Sequence, residues 1–331
     1  MRVPIAGFRV RETCARGLVP DLSITVVSAA DAAYFDLLEG LVLSLKAAPR
    51  ARDLPVSILD LGLDPAQRRW LESAGARLVE PGWDVEFPGR ERLPRHFQAM
   101  TARPYLPKHF PGHDIYLWLD ADTWVQDDAG LEPFIGAARR GKLAIVPEID
   151  RGYWTIHKRP KPWGQNQKAF AWAYGLKAGY RLGRNAILNT GAFALRADAP
   201  HWARWAAAHA RALNRRRWGA LDIRRLELVN SEQTALNYVV FAEGLPASFL
   251  PAYCNWFCGK GTPAFDRARG LLVEPHEPHQ PLAVVHLAGK GMKERLWRLE
   301  TLDGGAIETR LTWQATRDLA APPLVRPATA I

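Results

Sequence analysis

Residues 114–125, reading DIYLWLDADTWV, constrain the fold of this 331-residue chain more than any other stretch. Ile115, Tyr116, Leu117, Trp118 and Leu119 form an unbroken apolar run between Pro111-Gly112 and the acids Asp127-Asp128. Such a run reads as a strand covered on both faces of a sheet. It ends in Asp120 and Asp122, which a side-chain period of two aims the same way. In open α/β sheets ligands bind beyond the carboxyl ends of the strands. Two carboxylates held together there repel unless a cation lies between them, and a hard divalent ion that also carries a phosphate meets that need. D-x-D is short enough to arise by chance, and on an exposed loop it does no more than solvate the chain.

The flanking sequence supplies the sheet. Residues 22–28 read as a first strand ending in Ala29-Ala30-Asp31, followed by a helix over 34–46 with Leu37, Leu38, Leu41, Val42 and Leu45 on one face. Residues 56–59 read as a second strand, Asp64-Pro65 open a helix running through Trp70 to Gly75, and residues 76–79 form a third strand. This alternation predicts an α/β fold, a doubly wound, mainly parallel sheet flanked by helices. Further on, Asp198 and Pro200 open a helix that sets Trp202, Trp205, Ala206, His209 and Leu213 on one face. No G-x-G-x-x-G follows the first strand and no G-x-x-x-x-G-K-[ST] loop is present, which excludes the usual dinucleotide and Walker-type sites. The expected organisation is an N-terminal extension over 1–21 and one large domain over 22–300. That domain divides at 150 into two halves, and a C-terminal helix and loose tail occupy 301–331.

Composition bounds the partners. The chain has 48% hydrophobic residues and no apolar run near the ~18 residues of a membrane span, and residues 2–16, rich in Arg, lack the apolar h-region expected of a secretory signal. Cys14, Cys254 and Cys258 do not make a disulfide framework, so a cytoplasmic location is expected. Cys254 and Cys258 read as buried thiols rather than half of a zinc site. A formal charge of +10 implies an acidic partner. Lys158, Arg159 and Lys161 beside Trp154 and Trp163, and Arg215, Arg216 and Arg217 with Arg224 and Arg225, suggest peripheral docking on the anionic inner face of a membrane. The competing reading is that each cluster is a solvated face. No RRM, KH, zinc-finger or helix-turn-helix signature accompanies the charge, so no nucleic acid is expected.

Three later segments carry polar groups at strand or helix ends. Asn189-Thr190-Gly191 interrupts an apolar strand, which marks a bulge or a close approach by ligand or backbone. Ser231-Glu232-Gln233 opens a helix with a cap and an acidic first turn. Residues 282–293 end a buried strand in His286, followed by Gly289, Lys290, Gly291 and Lys293, a combination suited to a phosphate and a metal.

Taken in order, these motifs resemble a GT-A glycosyltransferase. They are most similar to the retaining family 8, which contains glycogenin and the lipopolysaccharide galactosyl- and glucosyltransferases. The likeness spans about residues 22–297 and implies a nucleotide-sugar half over 22–150 and an acceptor and donor-sugar half over 151–300. It implies that Asp31 bonds and Tyr34 stacks on the uracil of a UDP-sugar, and that Arg103 contacts the donor. It also implies that Asp120, Asp122 and His286 hold Mn²⁺ or Mg²⁺. Asn189 and Gly191 would line the donor sugar, Gln233 would lie beside the anomeric carbon, and Glu232 would hold sugar hydroxyls. Gly289 with Lys290 or Lys293 would meet the diphosphate. The chain departs from the family at Ala33, where Asn is usual, at Glu232, where Asp is usual, and after Gly289, where the lysine is shifted.

The expected reaction is metal-dependent transfer of a hexose from a nucleotide-sugar to a glycan or lipid-linked acceptor, with retention. A mixed oxygen and imidazole shell leans toward Mn²⁺. An inverting enzyme needs a placed carboxylate base, for which Glu148, Asp150 and Glu232 are the candidates. A nucleotidyl-transferring or non-catalytic nucleotide-binding relative would use the same acidic strand.

Overall fold

The computed structural model describes residues 22–154, 164–215, 231–289 and 291–320. The main sheet takes β1 (Ile24–Ala30), β2 (Val56–Asp60), β3 (Ala76–Val79) and β4 (Ile115–Leu119) from the first part of the chain. Three further strands, β6 (Leu143–Pro147), β7 (Leu188–Arg196) and β8 (Ala247–Phe249), complete it in the order β3-β2-β1-β4-β7-β6-β8. All neighbours are parallel except β7, which runs against both β4 and β6. Strands from either side of residue 150 thus share one sheet.

β4 is buried at every position, as its apolar run predicts. Its alternation divides the core. Ile115, Leu117 and Leu119 pack with Leu38, Leu41 and Leu45 of α1 (Phe35–Ala47), Leu71 of α2 (Pro65–Ser73) and Phe134 of α5 (Glu132–Arg139). Tyr116 and Trp118 point the other way. They join the short helices α3 (Phe97–Ala102) and α4 (Leu106–His109), and Trp202 and Trp205 of α8 (His201–Leu213). Leu236 and Val239 of α9 (Ser231–Glu243) complete that layer. Each such side chain contributes about 2 kcal/mol of burial, so β4 is held rigidly from both faces. α2 starts as its sequence predicts: the Asp64 carboxylate accepts from Ala66 N and Gln67 N, while Gln67 Oε1 accepts from Asp64 N at 2.9 Å. Between β6 and β7, α6 (Gln165–Tyr174) and α7 (Leu176–Leu182) pack against α9.

After β4 the chain leaves the main sheet. β5 (Thr123–Val125) pairs with β12 (Val284–His286), which also pairs with β9 (Trp256–Phe257). A third core around Trp256, Val285 and Leu299 lies beneath this small sheet. The ribbon β10 (Ala264–Asp266) and β11 (Leu271–Val273) joins it, as does the hairpin β13 (Trp297–Glu300) and β14 (Ala306–Thr309). That hairpin spans the expected boundary at 300, so residues 301–309 belong with the strand before them rather than with the tail. Helix α10 (Trp313–Ala320) then packs on α1.

Candidate functional site

The acidic pair sits where the chain passes from the large sheet to the small one. The alternation of a continuous strand does not aim these side chains, because β4 ends at Leu119 and residues 120–122 form a turn. Thr123 N and Thr123 Oγ1 both donate to the Asp120 carbonyl, at 3.0 and 2.7 Å. The turn aims both carboxylates toward β12. There His286 stands opposite Thr123, and Leu287 N donates to the Asp122 carbonyl at 2.8 Å.

His286 Nε2 lies 3.3 Å from Asp122 Oδ1 and 4.0 Å from Asp120 Oδ2. Its other nitrogen, Nδ1, donates to Asn255 Oδ1 at 2.9 Å, which leaves Nε2 facing the carboxylates. Burial opposes the charge on Asp122, yet His286 outweighs it and holds that carboxyl below the ordinary aspartate value. Burial likewise works against charge on His286, and Asp122 overrides it, raising the imidazole. Donor atoms that share one ion at about 2.1 Å stand about 3–4 Å apart. The three side chains therefore fit a divalent metal, and a proton on His286 balances the carboxylates when none is bound.

Gly191 closes the back of this group. The lone antiparallel strand β7 begins at the carboxyl edge of β4, and Asp120 N donates to the Gly191 carbonyl at 2.8 Å. Opposite β6 the register shifts between Ile145 and Val146, so residues 190–192 bulge toward the acids. The bulge reading of Asn189-Thr190-Gly191 holds, and the groups that approach Gly191 closely are the His286, Asn189 and Asp120 side chains. A Cβ at 191 would overlap His286 Cε1 and fall 2.8 Å from both Asn189 Oδ1 and Asp120 Oδ2.

Asp120 Oδ1 is held separately. It accepts from Trp118 Nε1 at 2.8 Å and from Arg103 Nη2. The Arg103 guanidinium lies 4.6 Å from the Trp118 ring centre and also pairs with Glu232. Burial raises the Glu232 carboxyl, and Arg103 and the Thr190 hydroxyl offset this only in part. On the next residue Gln233 Oε1 accepts from Asn189 Nδ2 and Thr190 N, each at 3.1 Å, so its amide nitrogen is the end left to donate. Asn189 Nδ2 also donates to Glu148, whose second oxygen pairs with Lys260.

Two hollows meet at this group. One, of about 290 Å³, is lined by Asp31, Tyr34, His96, Arg103, Asp120 and Asp122, among others. The other, of about 350 Å³, is lined by Tyr34, Asp122, Gly289, Gly291 and Lys293, among others. Their joint size falls within the ~300–1,000 Å³ of small-molecule sites. Tyr34 is half exposed between them, and Asp31 Oδ1 accepts from Tyr34 N at 3.1 Å. Lys293 Nζ donates to the Ala33 carbonyl at 3.2 Å and lies 5.4 Å from the Tyr34 ring centre.

Of the anticipated residues, Asp31, Tyr34, Arg103, Asp120, Asp122, Gly289 and Lys293 line the two hollows. His286, Gly191, Asn189, Glu232 and Gln233 adjoin them through the contacts above. Asp150 faces a separate hollow, and Lys290 lies outside the described residues. Sequence reasoning missed Asn255, Lys260, Thr190 and the Trp118 platform. Cys254 and Cys258 are buried free thiols, each pushed up to about 12 by burial, as expected of structural cysteines. Of the basic clusters, Arg215 is taken up by the carbonyls of Ala171 and Trp172 at 3.2 Å. Lys158, Arg159, Lys161, Arg216, Arg217, Arg224 and Arg225 lie outside the described residues.

No protein-family profile and no curated protein sequence matches the chain. Many solved structures are similar to it, among them the following three glycosyltransferase structures. The apo structure of the bifunctional glycosyltransferase WbbM is 14% identical with a TM-score of 0.49. The match covers 82% of this chain and 47% of that one, so this chain spans about half of WbbM. The galactosyltransferase LgtC in complex with donor and acceptor sugar analogues is 18% identical over 90% of this chain and 98% of LgtC, with a TM-score of 0.49. An active-site mutant of LgtC is 18% identical over 80% and 87%, with a TM-score of 0.45.

Proposed function

We propose that the protein is a GT-A glycosyltransferase akin to family 8, transferring a hexose from a UDP-sugar to a glycan or lipid-linked acceptor with retention. The observation that carries this reading is the convergence of Asp120, Asp122 and His286 at the junction of two hollows, with Asn255 fixing the imidazole. Mn²⁺ (or Mg²⁺) held by these three residues would act as a Lewis acid at the oxygens of the departing diphosphate. Tyr34 would stack on the base while Asp31 accepts from its imide N–H. Lys293 would supply a further positive contact from the second hollow, and Lys290 is a second candidate for that contact. Arg103 ties Asp120 to Glu232 and sets both carboxylates where a donor sugar would lie. The Gln233 amide N–H would face the anomeric carbon.

Retention is favoured by what the candidate bases already do. Glu148 is paired with Lys260, Asp150 with His276, and Glu232 with Arg103 and Thr190. With each acid engaged, the acceptor hydroxyl proton is best passed to the leaving phosphate as the C1–O bond to the acceptor forms and that to the diphosphate breaks. The test is UDP release from a panel of UDP-sugars. Release should appear with Mn²⁺, vanish in EDTA, and vanish in Asp120→Asn, and activity in EDTA would overturn the reading.

Contact with an anionic membrane is part of the same proposal. Among the described residues no helix is long and apolar enough to cross a bilayer. α7 instead presents exposed Leu176 and Tyr180 beside Lys177 and Arg181, a combination suited to an interface. Sedimentation with anionic but not neutral vesicles, reversed by salt, is the expected result. Equal sedimentation with both would contradict it.

A further inference from the structure

Glu148 turns toward Asn189, while Pro147, Ile149 and Asp150 on either side of it face a separate hollow of about 560 Å³ shared with Glu274. There His276 Nε2 lies 2.9 Å from Asp150 Oδ1, an oxygen that also accepts from Gly152 N at 2.7 Å. A carboxylate only accepts, so Nε2 carries a hydrogen, and in the neutral ring Nδ1 presents its lone pair. Nδ1 is buried without a hydrogen-bond partner among the described residues. It faces Glu274 Oε2 at 3.7 Å, too far for a hydrogen bond. Glu274 is only 7% exposed, and among the described residues nothing donates to its carboxylate. Arg151 donates instead to the Glu277 carbonyl.

His276 Nδ1 is buried without a donor among the described residues, which is costly, and a cation shared with the Glu274 carboxylate at the hollow would relieve that cost. An imidazole held from behind by a carboxylate, with its free nitrogen aimed at another acid, is how metal-ligating histidines are fixed in their tautomer. We propose that Asp150, Glu274 and His276 form a second site for a first-row divalent cation such as Zn²⁺. His276 Nδ1 and Glu274 would be direct ligands, with Asp150 orienting the ring. One ligand atom from each residue lies within 4.8 Å of the other two. A mixed imidazole and carboxylate set suits Zn²⁺ or Mn²⁺ better than Ca²⁺. Such an ion ties the turn after β6 to the segment after β11. The site shares no residue with the Asp120 group, and this inference does not rest on the proposed reaction.

The test is Zn²⁺ titration of the full chain against a chromophoric chelator after EDTA stripping, with melting curves alongside. The wild type should bind two equivalents, His276→Gln and Glu274→Gln one, and the Asp120→Asn/Asp122→Asn chain one. In EDTA both Gln variants should melt as the wild type does. In the Asp120→Asn/Asp122→Asn chain Zn²⁺ should still raise the melting temperature, a readout that needs no change at residues 274 or 276. Two equivalents retained by both Gln variants, or none bound by the Asp120→Asn/Asp122→Asn chain, would overturn the inference. Two equivalents in that last chain with one in His276→Gln would support this site while contradicting the cleft metal.

Discussion

Gly191→Ala adds one methyl group at the back of the Asp120, Asp122 and His286 group. The backbone there is not left-handed, so the change carries no conformational penalty of its own. The effect is steric. Ordinary contact begins near 3.4 Å, so Asp120 Oδ2 and Asn189 Oδ1 must each retreat by about 0.6 Å, and His286 Cε1 by more. His286 has little room, because Phe257 packs 4.6 Å from its ring centre and Asn255 holds Nδ1. Overpacking of this kind costs about 1–3 kcal/mol of stability. Displacing an oriented ligand weakens metal binding about 10–100-fold. The assay is UDP release as a function of Mn²⁺ concentration, with circular dichroism to confirm the fold. The variant should stay folded and need at least about tenfold more Mn²⁺. A folded Gly191→Ala protein with the wild-type Mn²⁺ requirement would refute the argument that this glycine makes room for the metal ligands.

Three further outcomes follow from the same geometry. Gln233→Ala removes the amide proposed to face the donor sugar and should lower kcat about 100-fold while UDP affinity stays unchanged; an equal loss in both would assign Gln233 to ground-state binding. On the proposed roles of Asp31 at the imide N–H and Tyr34 as a stacking face indifferent to the base, UDP should compete with donor far better than ADP or GDP; equal competition would remove Asp31 from base recognition. His209 is buried against Ser231 at 2.9 Å and pushed down to about 3 by burial, so it stays neutral in the fold while the unfolded imidazole protonates below about 6.5. Its folded pKa is lowered, so stability falls as pH drops below that value, by about 2 kcal/mol at pH 5, and denaturant melts of His209→Gln should lose that slope.

The sheet was legible because its signals are local. The apolar run of β4, the capped start of α2 and the apolar face of α1 each declare themselves within about a dozen residues. The acidic pair was legible for the same reason, although its aim comes from a turn that the period of a strand does not anticipate. Asn255 was not legible. Its role exists because β9 lies beside β12, a pairing between segments about thirty residues apart, and one Asn between Cys254 and Trp256 has no periodic signature. Lys260 and Thr190 were hidden in the same way, since each acquires a role only from a carboxylate far along the chain, Glu148 or Glu232.

In the proposed reaction Asp120, Asp122 and His286 hold a cation through which the nucleotide diphosphate is bound. Calorimetric titration of UDP into the EDTA-stripped chain, with and without Mn²⁺, tests it most directly. The wild type should bind UDP at least about tenfold more tightly with Mn²⁺, and Asp122→Asn should show no such gain. Equal UDP affinity with and without Mn²⁺, or a full gain retained in Asp122→Asn, would contradict the account.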